Sequence, residues 1–169
     1  MKQLLLLRHA KSSWDDPGLD DFDRPLAERG VKAARLMGRE LAARDWLPEL
    51  ALVSPTLRTR DTWRLVAAEL PVLPEITFVE ALYDASAADI LSQIRKTDGS
   101  RRCLVVIGHN PGLEDLAKQL AGPGSEAKAR KRLDEKFPTA ALARVVFEGD
   151  WSGLSSAQLT HCLRPKDLG

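Results

Sequence analysis

The chain is poor in most of the features on which specialised scaffolds depend. Its 169 residues include two cysteines without CxxC spacing, which excludes a disulfide framework or a Cys-rich metal site. Cys103 and Cys162 are expected as buried thiols in a reducing cytosol. There is no excess of either charge: 25 lysines and arginines stand against 24 aspartates and glutamates. No global field therefore draws the protein to nucleic acid or anionic lipid, and any anion site must be local. The N-terminal apolar run, Leu4 to Leu7, is too short for a signal core or a membrane span, so a cytoplasmic protein without a membrane partner is expected. Walker A and GxGxxG patterns are both missing, which argues against nucleoside triphosphatase and dinucleotide chemistry. With no repeat, no low-complexity tract and 44% hydrophobic residues, residues 1–169 read as one domain with a single core.

What is present alternates. Gln3–Leu7 is an apolar run ending in polar residues, as in a strand buried on both faces. A loop rich in Asp, Ser, Pro and Gly, Ser12 to Arg24, feeds a helix expected to begin near Pro25. Ala34, Met37 and Leu41 give that helix an apolar stripe, with Arg35, Arg39 and Glu40 facing water. A strand at Leu50–Val53 leads through Ser54-Pro55-Thr56, either hydroxyl being a possible cap, into a helix reaching about Leu70. Ile76–Val79, a helix over Ala87–Arg95 and the strand Cys103–Ile107 follow. Gly108–Gly112 then turns into a helix ending near Gly122. A charged helix spans Glu126–Lys136, and strands Leu142–Phe147 and Gln158–Leu163, one of them antiparallel, complete the sheet. This order predicts a three-layer α/β/α sandwich around a mostly parallel sheet. The basic run Lys128, Arg130, Lys131, Arg132 is interrupted by acids and reads as a solvated helix face, with no nucleic-acid partner expected.

In such a sheet, ligands bind beyond the C-terminal strand ends. Arg8 and His9 follow the first strand, Arg58 lies in the first turn after the second, Glu80 follows the third, and His109 follows the fourth. Each has an ordinary explanation alone: Arg58 has Asp61 three residues on, and His109 could be a turn residue. Together they bring two arginines, two histidines and a carboxylate to one edge. Guanidinium forks suit the oxygens of a phosphoryl group, and the nearby helix N-termini would add N–H donors. The two histidines lack carboxylates at metal-ligand spacing, so neither a metal nor another cofactor is expected. His161 reads as a packed or surface residue.

Leu7-Arg8-His9-Ala10, Ser54-Pro55-Thr56-Leu57-Arg58-Thr59 with Thr62, Glu80-Ala81-Leu82-Tyr83 and Gly108-His109-Asn110 together resemble the signature elements of the histidine phosphatase superfamily. Asp23-Arg24-Pro25-Leu26, Gly30 and Thr139-Ala140-Ala141 are similar to its compact SixA-type branch, the phosphohistidine phosphatases. The resemblance runs from Leu4 to about Phe147. It implies a phosphoglycerate-mutase-like fold, His9 as nucleophile, and Arg8, Arg58 and His109 around the phosphoryl group. Glu80 is implied as proton donor, with Asp84 as its competitor. For His9 to attack, its other ring nitrogen should donate to a backbone carbonyl. The substrate would be a phosphorylated protein carrying phosphohistidine, or a small phosphorylated molecule. A broad phosphomonoesterase, a mutase, or a phosphate-binding module with little catalysis are the alternatives. No insertion between the motifs is long enough for a lid domain, so only the Ser12–Arg24 loop should border the site. Trp14 on that loop is either a substrate contact or a loop anchor.

Overall fold

A computed structural model of the chain describes residues 1–168. Six strands form one sheet: β1 (Lys2–Arg8), β2 (Leu50–Val53), β3 (Glu75–Phe78), β4 (Cys103–Gly108), β5 (Leu142–Phe147) and β6 (Gln158–Leu163). The helices are α1 (Glu28–Ala43), α2 (Leu57–Ala67), α3 (Ala87–Arg95), α4 (Gly112–Leu120) and α5 (Ala127–Glu135). Strand order is β3-β2-β4-β1-β5-β6, with β1, β2, β3 and β4 parallel. β5 runs against β1, and β6 runs against β5, so one strand is reversed.

Alternation along the strands builds the three layers. Leu4 and Leu6 of β1, with Leu104 and Val106 of β4, join a core under α3, α4 and α5. Leu5 and Leu7, with Val105 and Ile107, join the opposite core under α1 and α2. All four leucines of β1 are inaccessible to water, each contributing roughly 2 kcal/mol of burial. Met37 and Leu41 of α1 and Trp63 of α2 close one face, and Leu116, Leu133 and Trp151 close the other. Cys103 and Cys162 are buried among apolar neighbours, which raises their thiol pKa to about 12 and about 11.

Several boundaries depart from the sequence expectation. α1 begins at Glu28 rather than near Pro25, because Leu26 makes an antiparallel bridge to Ser12 and the Ala27 N–H donates to the Lys11 carbonyl. Those pairings keep the segment extended. Gly30 then lies so close to the Lys11 carbonyl that a Cβ would sit 2.1 Å from its oxygen, which accounts for a glycine inside the first helical turns. α2 ends at Ala67, three residues early, and β3 covers Glu75–Phe78, one residue earlier than expected. Among the described residues no helix is long and apolar enough to cross a membrane. Two members of the basic run are occupied locally: Arg130 donates to the carbonyls of Ala121 and Gly122, and Arg132 to that of Cys162.

Candidate functional site

Sheet register assembles the centre. β1 and β4 pair in parallel with Arg8 opposite Gly108, so the next residues, His9 and His109, emerge side by side, their ring centroids 5.4 Å apart. The His9 N–H donates to the Gly108 carbonyl at 3.1 Å, and the Ala140 N–H to the His9 carbonyl at 3.0 Å. Ala140 adopts φ 62° to make that second bond, an uncommon conformation for a residue with a Cβ. The Thr139-Ala140-Ala141 segment thus clamps the nucleophile candidate from the β5 side.

His9 is 8% exposed, and its Nδ1 lies 2.7 Å from the Ala10 carbonyl oxygen. A carbonyl only accepts, so Nδ1 carries the proton and Nε2 keeps its lone pair. Burial, together with the charges of Arg58, Arg8 and Arg24, lowers the His9 pKa to about 4, the hydrogen bond to Ala10 only partly opposing the shift. His109, whose Nε2 shares a 2.8 Å hydrogen bond with the Ser54 hydroxyl, is lowered to about 3, again first by burial. Both rings are therefore neutral near pH 7.

The two folded pKa values lie below the ordinary 6.5, so the unfolded chain binds more protons as the solution is acidified. The stabilisation is full above pH 6.5 and is lost as pH falls toward 4. Asp21, discussed below, titrates at about 2 and does not contribute in that interval. The thermal midpoint should drop between pH 7.5 and 5, and less so in His109→Gln. A midpoint flat across that range would deny the neutral burial of both rings.

The arginines come from different directions. Arg8, at the end of β1, donates from Nη1 to the Phe137 carbonyl at 3.2 Å, while its buried Nε has no hydrogen-bond partner among the described residues. Arg58 lies in the first turn of α2, where Thr56 is the cap, its hydroxyl accepting from the Thr59 N–H. Its expected partner, Asp61, is not the one it takes. Asp61 pairs with Arg64, and Arg58 instead donates to Asp21, Nη1 to the carbonyl oxygen at 2.7 Å and Nη2 to the carboxylate at 3.0 Å. Thr62 ties the two halves of the site together: its hydroxyl donates to the Arg58 carbonyl and accepts from the Ala10 N–H.

Asp21 escaped the sequence reading. It lies in the Ser12–Arg24 loop, and its carboxylate also accepts from the Tyr83 hydroxyl at 2.8 Å and from Arg24 at 3.2 Å. Tyr83 foremost, and then Arg58, hold its pKa down to about 2. Tyr83 stacks edge-on with His109, and Phe22 edge-on with Tyr83, both at 5.6 Å. The only available signal was the spacing of Asp21 and Arg24, three apart, and four other aspartates between residues 15 and 23 obscured it. Glu80 opens a short 3-10 turn, Glu80–Leu82, and is exposed, as is Asp84; neither side chain bonds the two histidines or the two arginines among the described residues. Trp14 is 70% exposed and lies over the Arg24 guanidinium, 3.1 Å from ring centroid to Cζ. His161 is remote, half-buried against Trp46. No group of three or more His, Cys, Asp or Glu among the described residues is arranged to hold a metal ion.

Residues 4–101 match the family model of the histidine phosphatase superfamily, branch 1. An uncharacterized protein of Mycobacterium tuberculosis is 35% identical over 147 residues, covering 86% of this chain and 90% of its own. A candidate phosphohistidine phosphatase SixA from Agrobacterium tumefaciens superposes with a TM-score of 0.83 at 29% identity, over 97% of this chain and 98% of that one. The protein histidine phosphatase SixA solved with tungstate gives a TM-score of 0.80 at 25% identity, over 98% of each chain. The fold is the one these proteins share, and the chain belongs to the histidine phosphatase superfamily.

Proposed function

We propose that this protein is a metal-independent phosphatase that removes the phosphoryl group from phosphohistidine by way of a covalent intermediate on His9. The observation that carries this reading is the neutral His9 ring, its Nδ1 committed to the Ala10 carbonyl and its Nε2 left nucleophilic, in the field of Arg58 and Arg8. That the similar SixA was solved in complex with tungstate, an oxyanion, supports oxyanion binding by this chain.

The chemistry proceeds in two displacements. The Nε2 lone pair of His9 forms a bond to phosphorus as the P–N bond to the substrate imidazole breaks. That imidazole keeps the electron pair and, protonated at its second nitrogen, leaves neutral. Water then attacks phospho-His9, the P–Nε2 bond returns its electrons to the ring, and inorganic phosphate departs. Arg8, Arg58 and His109 meet the equatorial oxygens, where fixed donors and charge provide most of the catalysis. Glu80 donates a proton to an alkoxide leaving group and accepts one from the attacking water; Asp84 is the other carboxylate flanking Tyr83.

The test uses two substrates in EDTA, a phosphohistidine peptide and p-nitrophenyl phosphate, with phosphate release recorded. Wild type is expected to turn over the peptide, and acid-labile, alkali-stable label is expected on the protein in a rapid quench. With an alkyl phosphate as a third substrate, Glu80→Gln should slow transfer of the phosphoryl group to the protein by about a hundredfold, against less than tenfold for the phosphohistidine peptide, because the imidazole leaves without a donated proton. Turnover confined to esters would move the reading to a phosphomonoesterase. A peptide left intact, with no label on the protein, would end it.

A further inference from the structure

We infer that the Ser12–Arg24 loop is a charge and shape filter that selects phosphoryl groups carried on basic, apolar-flanked protein surfaces, with Asp15, Asp16 and Asp20 as its charged members. This rests on the phosphohistidine reading above and names the kind of carrier.

The loop borders the site by construction. It leaves the chain two residues after Ala10, its neck is closed by the Ser12–Leu26 bridge and by the Ser13 N–H on the Pro25 carbonyl, and it returns to place Asp21 on Arg58. Phe22, Tyr83 and His109 form a continuous edge-to-face series from loop to centre.

Its charge is one-sided. Residues 15–23 contain five aspartates and no lysine or arginine. Arg24 is turned inward onto Ser12, Ser13, Asp21 and Trp14. Asp21 is neutralised by Arg58, whereas Asp15, Asp16, Asp20 and Asp23 are exposed and form no ion pair among the described residues. Glu80 and Asp84, also exposed, flank Tyr83. A site whose floor attracts an anion thus has a rim that repels one. For a free polyanionic metabolite the two fields oppose each other. For a phosphoryl group set among lysines or arginines they add, floor to phosphate and rim to carrier.

The apolar component is on the same loop. Trp14, Leu19 and Phe22 are 70%, 39% and 36% exposed. Trp14 is held against Arg24 and Phe22 against Tyr83, so both present large apolar area already ordered, as interface anchors do. A protein surface has the extent to cover all three at once.

The experiment compares two phosphohistidine peptides of equal length, one with lysine and leucine flanks, the other with glutamate and leucine flanks. Wild type should favour the basic peptide in kcat/KM by about tenfold or more at low salt, the lower end of what charged clefts achieve. The preference should shrink severalfold at about 1 M salt, where the screening length falls to roughly 3 Å. Asp15→Asn/Asp16→Asn/Asp20→Asn should bring the ratio to within about twofold, and its turnover of p-nitrophenyl phosphate reports an intact pocket. Equal turnover of both peptides by wild type, or a triple variant that keeps the wild-type ratio, overturns the filter alone. Wild type that cleaves the ester and neither peptide overturns the phosphohistidine reading and the filter with it.

Discussion

His9→Ala is expected to lose at least ~10⁴-fold in turnover of both phosphohistidine peptide and p-nitrophenyl phosphate, with the protein-bound phosphoryl label disappearing entirely. The size follows from the proposed role: without Nε2 no covalent intermediate would form, and water would have to attack the substrate directly. The fold should survive. His9 follows β1 and holds its backbone through bonds to Gly108 and Ala140 that alanine retains, and the lost ring is one that burial already held neutral. Binding of oxyanions should persist because Arg8, Arg58 and His109 remain, so the variant should still gain thermal stability from tungstate. Residual turnover within a hundredfold of wild type would remove His9 from the nucleophile's position, whichever substrate is used.

The second large effect is expected at Arg58, where alanine should cost about 10³-fold in kcat/KM. Its side chain is 8% exposed and reaches the site from the first turn of α2, so its charge acts with little screening by water. Lysine should restore only a minor part, since a single ammonium cannot reproduce the planar fork that matches two phosphoryl oxygens. The position of α2 should not change: Thr62 holds the Arg58 backbone carbonyl rather than its side chain. Removal of the guanidinium also relieves Asp21 of a cation, so its carboxyl should titrate higher than about 2, although Tyr83 and Arg24 still hold it down. A tenfold loss or less, measured beside an unchanged circular dichroism spectrum, would take Arg58 out of the phosphoryl pocket.

Much of this arrangement was legible in the sequence because strand ends are easy to read. Continuous apolar runs at Leu4–Leu7 and Cys103–Ile107 mark buried parallel strands, and the polar residues after them fall at the ligand edge by topology. Arg8, His9, Arg58 and His109 were found in this way, and the structure brings them together. What was not legible depends on tertiary contact. The start of α1 was misplaced because Pro25 is a good first helical residue, and nothing local reveals that Leu26 bridges to Ser12. Asp61 was the obvious partner for Arg58 on helical spacing, yet the guanidinium turns away from the helix to an aspartate 37 residues earlier. The pairing of Asp21 with Tyr83 spans 62 residues and has no periodicity to betray it. Loop carboxylates of this kind become visible only when the chain is folded around them.

The parallel register that sets Arg8 opposite Gly108 also divides the molecule mechanically. The gap between His9 and His109 is fixed by the spacing between hydrogen-bonded neighbours in the sheet, the stiffest dimension a fold possesses. The wall that meets the carrier hangs instead from a loop, closed at its neck by the Ser12–Leu26 bridge and the Ser13 N–H on the Pro25 carbonyl and tied to the pocket at Asp21. Reactive chemistry and choice of partner are thereby mounted on separate parts. Insertions or substitutions between Trp14 and Asp20, outside the Asp21 contacts with Arg58 and Tyr83, can retune what is admitted without disturbing the reacting pair, so chains with this core can diverge in their clients while the histidines stay where the strands put them.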